Sequence, residues 1–481
     1  MSRLPSRDGT TVGCAICCGV ERFLRESPMP APPADLYAWH ARPGAFERLM
    51  PPWERLSISS RSGSIHDGDR LVFRIHKGPL AITWEAEHAN HEQGRRFDDV
   101  MVRGPFASWR HAHHFLPGSD ANSSVLRDEV SYALPLGAAG RLLGGKAGRA
   151  AIDRMFDFRH ERTGRDLSRH RLLASPLRIV MTGASGAIGR ELVHFLTTGG
   201  HVVERLVRRS PGPGEIFWQP GAGVKGGQID DASMEACDAV IHLAGEPIAG
   251  GRWTEAKKKA IRDSRVEGTR LMARTVASLK RPPATMIVAS GVHYYGDRGE
   301  QELTEESGIG SGFLAEVSRD WEAAVAPAVE AGVRVVVLRI GLVLSPRAGL
   351  LAQLLPWARL GMLPVMGSGR QWWSWIGQDD LLGLILHALA DTRVRGAVNA
   401  VTPRPVRMHE FAQTLATHLR RPLGLRAPAF ALRGMVGEMA DVLLTSTRAV
   451  PEAMRQAGFT FQTPGLAQAL AWELDGVAER R

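Results

Sequence analysis

Leu177-Arg178-Ile179-Val180-Met181-Thr182-Gly183-Ala184-Ser185-Gly186-Ala187-Ile188-Gly189-Arg190 is the stretch on which the fold turns. A mostly apolar run precedes three glycines at spacing three, and a helical pattern opens at Ala187-Ile188-Gly189. Strand, tight turn and helix N-terminus in that order cradle the pyrophosphate of a dinucleotide. Gly183 serves the turn, Gly186 lets backbone approach phosphate, and Gly189 lets helix pack on strand. The first helical turn offers unused N–H groups and a positive dipole end. A plain strand-to-helix turn would use the same glycines, but a second apolar run at 201–207 supports the cradle. Thr182, Gly183, Ser185, Gly186, Ala187, Ile188 and Gly189 are therefore candidate cofactor residues.

The end of the second run selects the dinucleotide. NAD sites place a carboxylate about twenty residues past the glycines, on the ribose hydroxyl. Arg208 and Arg209 stand there instead. A guanidinium suits a 2′-phosphate, so NADP(H) is expected, with Arg208 as its ligand. The alternative is a solvated loop in an arginine-rich chain.

The chain has 481 residues, 44% of them hydrophobic, and a net charge of +10. That length fits two or three domains. The basic residues are dispersed, with no aromatic platform between them, so no nucleic-acid partner is expected. No run reaches the roughly 18 apolar residues of a membrane span. Residues 1–28 carry charges where a signal peptide needs an apolar core, and they read as a disordered leader, with Met29 an alternative start. Cys14, Cys17 and Cys18 cluster without matching partners at zinc-site spacing, so no metal is expected. The expectation is a soluble cytoplasmic protein.

Residues 29–167 read as one α+β domain. Helical spacing covers 36–49. Alternating runs follow at 71–75, 80–87, 97–102, 111–115 and 125–134, and a long helical stretch covers about 138–167. Strands wrapped on one long helix form a cup able to enclose an apolar ligand. Trp39, Phe46-Glu47-Arg48-Leu49, Pro51-Pro52-Trp53 and the closing helix resemble the START-like, polyketide-cyclase/dehydrase superfamily with its helix-grip fold. The resemblance implies lipid or other apolar ligands. Trp84, Trp109, His111, His113 and His114 would line the cavity or serve as core aromatics and a polar strand face. His111 and His113 share a face, but the sequence offers no evident third ligand.

Residues 168–176 form a polar linker. From 177 onward strands and helices alternate, the pattern of a doubly wound parallel sheet. Strands are predicted at 177–182, 201–207, 239–243, 285–290 and 334–340, with a further one at 398–401; helices are predicted at 187–198, 255–279, 313–330 and 378–390. The expected fold class is α/β: a Rossmann-type sheet over 177–400 with a small C-terminal cap over 401–481, preceded by the helix-grip domain.

The glycine loop, Asp238-Ala239-Val240-Ile241-His242-Leu243-Ala244-Gly245-Glu246, Arg252-Trp253, Ser264-Arg265-Val266-Glu267-Gly268-Thr269, Tyr294-Tyr295-Gly296-Asp297, Leu338-Arg339-Ile340-Gly341 and Gly369-Arg370-Gln371-Trp372-Trp373-Ser374-Trp375-Ile376 stand in order. Together they resemble the atypical extended short-chain dehydrogenase/reductase group of NAD-dependent epimerase/dehydratase-like proteins, a group that also bears the label cell-division inhibitor. The tail resembles that group's C-terminal domain of unknown function. The resemblance implies that Leu243, Ala244, Gly245 and Glu246 contact the nicotinamide side of the cofactor. Arg252, Trp253, Arg370, Gln371 and Trp373 become substrate candidates, with packing against the cap as the alternative for the tryptophan run. A homodimer through two helices is an analogy from the superfamily.

The resemblance also exposes a departure. Active short-chain dehydrogenases carry Tyr-x-x-x-Lys on the helix occupied here by Phe313-Leu314-Ala315-Glu316-Val317-Ser318-Arg319-Asp320-Trp321-Glu322, which has neither residue. Arg265 stands near the place of the usual Asn, and Gly377 replaces a usual His. Two readings remain. One is an NADP(H)-dependent epimerase or oxidoreductase of unknown small-molecule substrate, using Ser290 and Tyr294 or Tyr295 as replacement groups and Glu246 as a base. The other is a non-catalytic NADP(H)-binding regulator with an apolar-ligand module.

Overall fold

The structure, a computed structural model, describes residues 20–221 and 227–475. The cysteine cluster at Cys14, Cys17 and Cys18 lies outside the described residues. The chain forms two compact units: one runs up to Tyr37 and includes Glu54–Phe156, and the other comprises Ala38–Trp53 and everything from Asp157.

In chain order the first elements are β1 (Glu21–Met29), α1 (Pro33–Ala41), α2 (Ala45–Leu49), β2 (Arg55–Arg61), β3 (Arg70–Lys77), β4 (Leu80–Glu92), β5 (Arg96–Arg103), β6 (Ser108–Pro117), β7 (Ser124–Ala133) and α3 (Gly137–His170). The first unit is a seven-stranded antiparallel sheet in the order β1-β7-β6-β5-β4-β3-β2. Phe23, Trp109, Val130 and Tyr132 of one sheet face pack with Ile152 and Phe156 of the long helix. β1 corrects the reading of 21–28 as leader: its backbone pairs with β7 from Glu21↔Tyr132 to Met29↔Ser124. That pairing was invisible locally because ERFLRESPM has no clean alternation. The helix expected over 36–49 is two helices, broken at Arg42-Pro43-Gly44.

In the second unit the main strands are β8 (Arg178–Thr182), β9 (Val202–Val207), β10 (Glu215–Gln219), β11 (Gln228–Ile229), β12 (Ala239–His242) and β13 (Thr285–Gly291), then Arg334–Ile340 and Gly396–Ala400. The sheet order is β11-β10-β9-β8-β12-β13, Arg334–Ile340, Gly396–Ala400. Every neighbouring pair is parallel except β10 with β11. The order reverses between β8 and β12, which is where such sheets bind ligands. Successive residues of each strand enter opposite cores. Ile179, Met181 and Ile241 face α4 (Ala187–Thr198) and helix Gln378–Ala390. Val180, Val240 and Met286 face α5 (Glu255–Ser278) and Trp321 of α6 (Phe313–Ala323). Two-sided burial explains the nearly unbroken apolar strands. The cap has its own core, in which Leu351, Leu355 and Trp375 pack with Phe411, Leu415 and Leu470. It therefore draws on residues well before 401.

Ala38–Trp53 and the second half of α3 belong to the second unit through a buried ionic network. Arg48 donates from Nε (2.8 Å) and Nη2 (2.6 Å) to Asp166, and from Nη1 (3.1 Å) to Asp379. Arg162 lies 2.9 Å from the other oxygen of Asp379, which also accepts from Trp472 Nε1 at 2.7 Å. Arg169 pairs with Asp380 at 2.7 Å. Burial alone would raise the Asp379 carboxyl, but the three arginines hold it well below the usual range. Asp379 and Asp380 also sit in the first turn of their helix, where the dipole favours anions. The residues that carried the START-like resemblance, Phe46 to Trp53, thus pack with the nucleotide-type unit.

A buried network of this kind is stable only when complete, because each charge lost strands its partners. Asp379→Ala should lower unfolding free energy by about 3–5 kcal/mol in denaturant titrations. Lys259→Ala, at an exposed pair with Asp263, should change it by less than about 0.5 kcal/mol. Glu473 lies beside this network, and burial, reinforced by Asp379, pushes its carboxyl up to about 8 against Arg162. The folded state then holds a proton that the unfolded chain releases near 4.5, so stability falls as pH rises from there to about 8. Glu473→Gln should shrink the loss of thermal midpoint between about pH 5 and about pH 8 relative to wild type.

Candidate functional site

The glycine turn lies at the carboxyl ends of β8 and β12. Gly183 has φ +72°, and a Cβ there would come within 2.7 Å of Leu243 backbone. At Gly189 a Cβ would come within 2.1 Å of the Gly183 carbonyl. Both positions are closed to any side chain. Gly186 differs: it is exposed, with φ −71°, and a Cβ there would meet only the Gly183 carbonyl, at 3.2 Å. Gly186 leads α4, and no side chain caps that end. The N–H groups of the first turn, at Ala187, Ile188 and Gly189, have no acceptor inside the helix, and a helix start of this kind suits an anion. Gln378 Nε2 donates to the Ala187 carbonyl at 3.3 Å and steadies this turn.

Thr182 works from below. It is fully buried, its hydroxyl lies 2.8 Å from His242 Nδ1, and it accepts from the Ala244 N–H at 3.2 Å. This bridge locks the ends of β8 and β12 together across the reversal of strand order. Burial drives His242 down to about 4, so it serves as a neutral ring. Ser185 is exposed on the loop.

Arg208 and Arg209 end β9, and both are exposed. Arg209 is tied to Glu215 at 2.7 Å. Arg208 makes no hydrogen bond or ion pair among the described residues, which leaves its guanidinium available.

Leu243, Ala244, Gly245 and Glu246 form the loop after β12. Glu246 does not stand free: Lys257 Nζ lies 2.6 Å from its carboxylate. Its N–H donates to Ser264 Oγ at 2.9 Å, and its carbonyl accepts from Arg265 at 2.9 Å. Arg265 is 8% exposed and lies under Gly245, with Trp321 beneath its guanidinium at 5.1 Å. Desolvation outweighs Glu246 and lowers it to about 10. Burial, then the Arg265 charge, lowers His293 to about 4. Arg265 and His293 were not among the candidate site residues, and only the departure from the usual Asn pointed to Arg265.

The two tyrosines after β13 part company. Tyr295 is fully buried; its hydroxyl donates to Asn399 Oδ1 at 2.7 Å and lies 3.0 Å from the Thr304 carbonyl. It accepts from Arg339 at 2.9 Å. Its phenol is therefore buried and fully engaged within the protein. Ser290 is 5% exposed and donates to Glu322 at 2.8 Å. Glu322 in turn takes Arg339 through both oxygens, at 3.0 and 2.8 Å. Tyr294 is half-buried, the Arg339 guanidinium lies 3.6 Å from its ring centre, and its hydroxyl has no partner among the described residues.

The substrate candidates also divide. Gln371 is 6% exposed, and its amide donates to the Met366 and Leu443 carbonyls. Trp373 is buried against Phe411, with its indole N–H on Leu443. Both pack the cap and leave nothing for a ligand. Arg252 donates to the carbonyls of Gly434 and Met435. Trp253 meets Phe313 edge-on at 5.4 Å. Lys258, four residues on from Thr254, pairs with Glu438 at 2.6 Å. The Arg252 and Lys258 contacts fasten the start of α5 to residues 434–438. Arg370 keeps an exposed side chain.

The profile of the NAD-dependent epimerase/dehydratase family matches residues 179–400. An epimerase family protein of Mycobacterium bovis is 38% identical over 61% of this chain and 96% of its own length. The chain belongs to the epimerase family. The human epimerase family protein SDR39U1, solved with NADPH, aligns with 63% of this chain and all of its own, at 31% identity and TM-score 0.57. The polyketide cyclase/dehydrase and lipid transport profile matches residues 29–158, and a domain of unknown function matches 427–473. A nucleoside-diphosphate sugar epimerase from Corynebacterium glutamicum covers 94% of this chain and 90% of its own at 35% identity, with TM-score 0.76. The family fold is intact here, yet α6 has no Tyr or Lys in the place where short-chain dehydrogenases keep them.

The two tyrosines should answer differently to loss of the hydroxyl. Tyr295→Phe strands Asn399 and Arg339 and should cost about 1–3 kcal/mol. Tyr294→Phe should stay within about 0.5 kcal/mol of wild type when both variants are unfolded in urea.

Proposed function

We propose that this epimerase family member binds NADP(H) and uses it on a small alcohol or carbonyl compound, with Tyr294 as the proton-bearing group. The observation that carries the reading is the uncapped start of α4 behind Gly183 and Gly186, with the unengaged Arg208 at the end of the next strand. The cradle fits a dinucleotide because the exposed Gly186 puts no side chain at the helix start, while Gly183 and Gly189 keep the turn tight against the chain's own backbone. Ala187, Ile188 and Gly189 would offer N–H groups to the pyrophosphate. Arg208 would take a 2′-phosphate in a bidentate grip that a bare hydroxyl cannot return. Leu243 to Glu246 would line the nicotinamide side. The cofactor supplies hydride or accepts it at a substrate carbon. Tyr294 would move the accompanying proton, and the Ser290–Glu322–Arg339 chain would hold the floor beneath it. Glu246, already paired with Lys257, acts in this reading as an orienting group.

The human relative solved with NADPH supports this choice of cofactor. The engagement of Ser290 and Tyr295 favours a second reading, a non-catalytic NADP(H)-binding regulator.

Equilibrium titration with NADPH and NADH tests the cofactor reading, and a carbonyl panel separates the enzyme from the regulator. NADPH should bind at least about tenfold tighter, a difference of about 1.4 kcal/mol, and Arg208→Ala should erase the preference. Gly186→Ala should weaken NADPH at least about tenfold while leaving the thermal midpoint near wild type, since its Cβ reaches only one protein atom. Equal binding of both dinucleotides, or none, overturns the cofactor reading. NADPH binding without oxidation by any member of a carbonyl panel, unchanged by Tyr294→Phe, selects the regulator.

A further inference from the structure

The inner face of the N-terminal sheet carries a cluster that the nucleotide reading does not use. Register assembles it from four strands. Asp99 of β5 stands opposite His111 of β6, and Phe97 stands opposite His113. Asp128 of β7 stands opposite His113, and His88 of β4 opposite Asp99. The period of two along β6 keeps His111 and His113 on one face. The sequence offered no third ligand for these histidines; cross-strand pairing supplies two carboxylates.

We infer that Asp99, His111 and His113 hold a divalent transition-metal ion, with Asp128 as their outer-sphere anchor. Asp99 Oδ2 lies 3.3 Å from His113 Nε2 and 3.7 Å from His111 Nδ1. The three ligand atoms lie within 4.8 Å of one another. Bonds of about 2.0–2.2 Å to a tetrahedral ion put neighbouring ligand atoms about 3.4 Å apart, so the set needs little adjustment. Each imidazole turns one nitrogen to Asp99 and the other to Asp128. Asp128 Oδ1 lies 2.9 Å from His113 Nδ1 and 3.3 Å from His111 Nε2. A carboxylate behind a ligating histidine fixes its tautomer and raises its basicity. His88 Nδ1, 2.7 Å from Asp99 Oδ1, does the same for the carboxylate. The rings are held from the sides: Phe97 stacks on His113 at 4.3 Å, and Phe156 meets His111 edge-on at 5.0 Å.

Burial argues for a built site. His111, His113 and Asp128 are 2%, 4% and 2% exposed, whereas the Asp99 side chain is 27% exposed. The ion would be gripped from within and reached past Asp99. Two imidazoles and one carboxylate leave coordination positions open, which is the pattern of Zn²⁺ catalytic sites and of non-haem Fe²⁺ centres. Mg²⁺ and Ca²⁺ prefer oxygen-only sets. The site therefore gives the polyketide-cyclase-like unit a Lewis acid able to polarise a carbonyl or activate water.

The competing occupant is a proton shared among the same five groups. The test uses the full-length protein stripped with chelator, with Zn²⁺ followed by calorimetry and Co²⁺ by visible absorption. One ion per chain should bind, Zn²⁺ should raise the thermal midpoint, and the Co²⁺ spectrum should lack thiolate charge transfer. His111→Gln with His113→Gln should abolish binding. Asp128→Asn, which leaves all three ligands in place, should weaken it about 10–100-fold and decides the matter should the double variant not fold. Replacing Cys14, Cys17 and Cys18 with Ser should change nothing. The inference is overturned by failure of wild type to bind either ion, by binding that survives the histidine substitutions or is unmoved by Asp128→Asn, or by binding that disappears with the cysteines.

Discussion

Asp379 and Asp380 gather three arginines, Arg48, Arg162 and Arg169, at the start of one buried helix. Few interior arrangements are so demanding, because every charge removed from water must find its counterpart. The helix they open faces the nucleotide sheet. Its first residue, Gln378, reaches the carbonyl of Ala187 in the first turn of α4, behind the glycine turn. Asp380 also accepts from the N–H groups of Gln462 and Thr463, which bring in the C-terminal segment. One ionic knot thus links Ala38–Trp53, the end of α3, the tail and the cradle within a single unit.

On that scaffold the glycine turn and the cluster after β13 are built differently. The glycine turn presents mostly backbone: Gly183 and Gly189 admit no side chain, the helix end is uncapped, and the Thr182–His242–Ala244 bridge fixes two strand ends from below. The groups nearest the usual acid–base positions are engaged with each other, Ser290 with Glu322 and Glu322 with Arg339, and Tyr295 is closed in by Asn399 and Arg339. That leaves Tyr294 as the phenol with an unengaged hydroxyl among the described residues.

Much of this was legible in the chain. The glycine spacing, the arginines at 208–209 and the alternation of apolar strands with helices led to the doubly wound sheet, and helix Gln378–Ala390 fell where its periodicity placed it. The strands β1 and β10 were not legible. Their sequences, ERFLRESPM and EIFWQ, carry mixed polarity or sit among prolines and glycines, and only a neighbouring strand gives them a partner. The inward engagement of the candidate residues Gln371, Trp373 and Tyr295 was not legible for a related reason. A polar or aromatic residue beside a cleft reads alike in sequence with its hydrogen bonds directed inward or out.

The sequence by itself determined what is local: turns that only glycine can make, the helix end exposed behind them, and the absence of Tyr and Lys from α6. Those follow from sterics and periodicity over a few residues. The tertiary structure alone decided which distant groups meet. Asp99 lies twelve residues from His111 in the chain, and Arg48 lies far from Asp379. Backbone register across a sheet and the pairing of charges in a core bring such groups together, and neither leaves a mark in the order of residues.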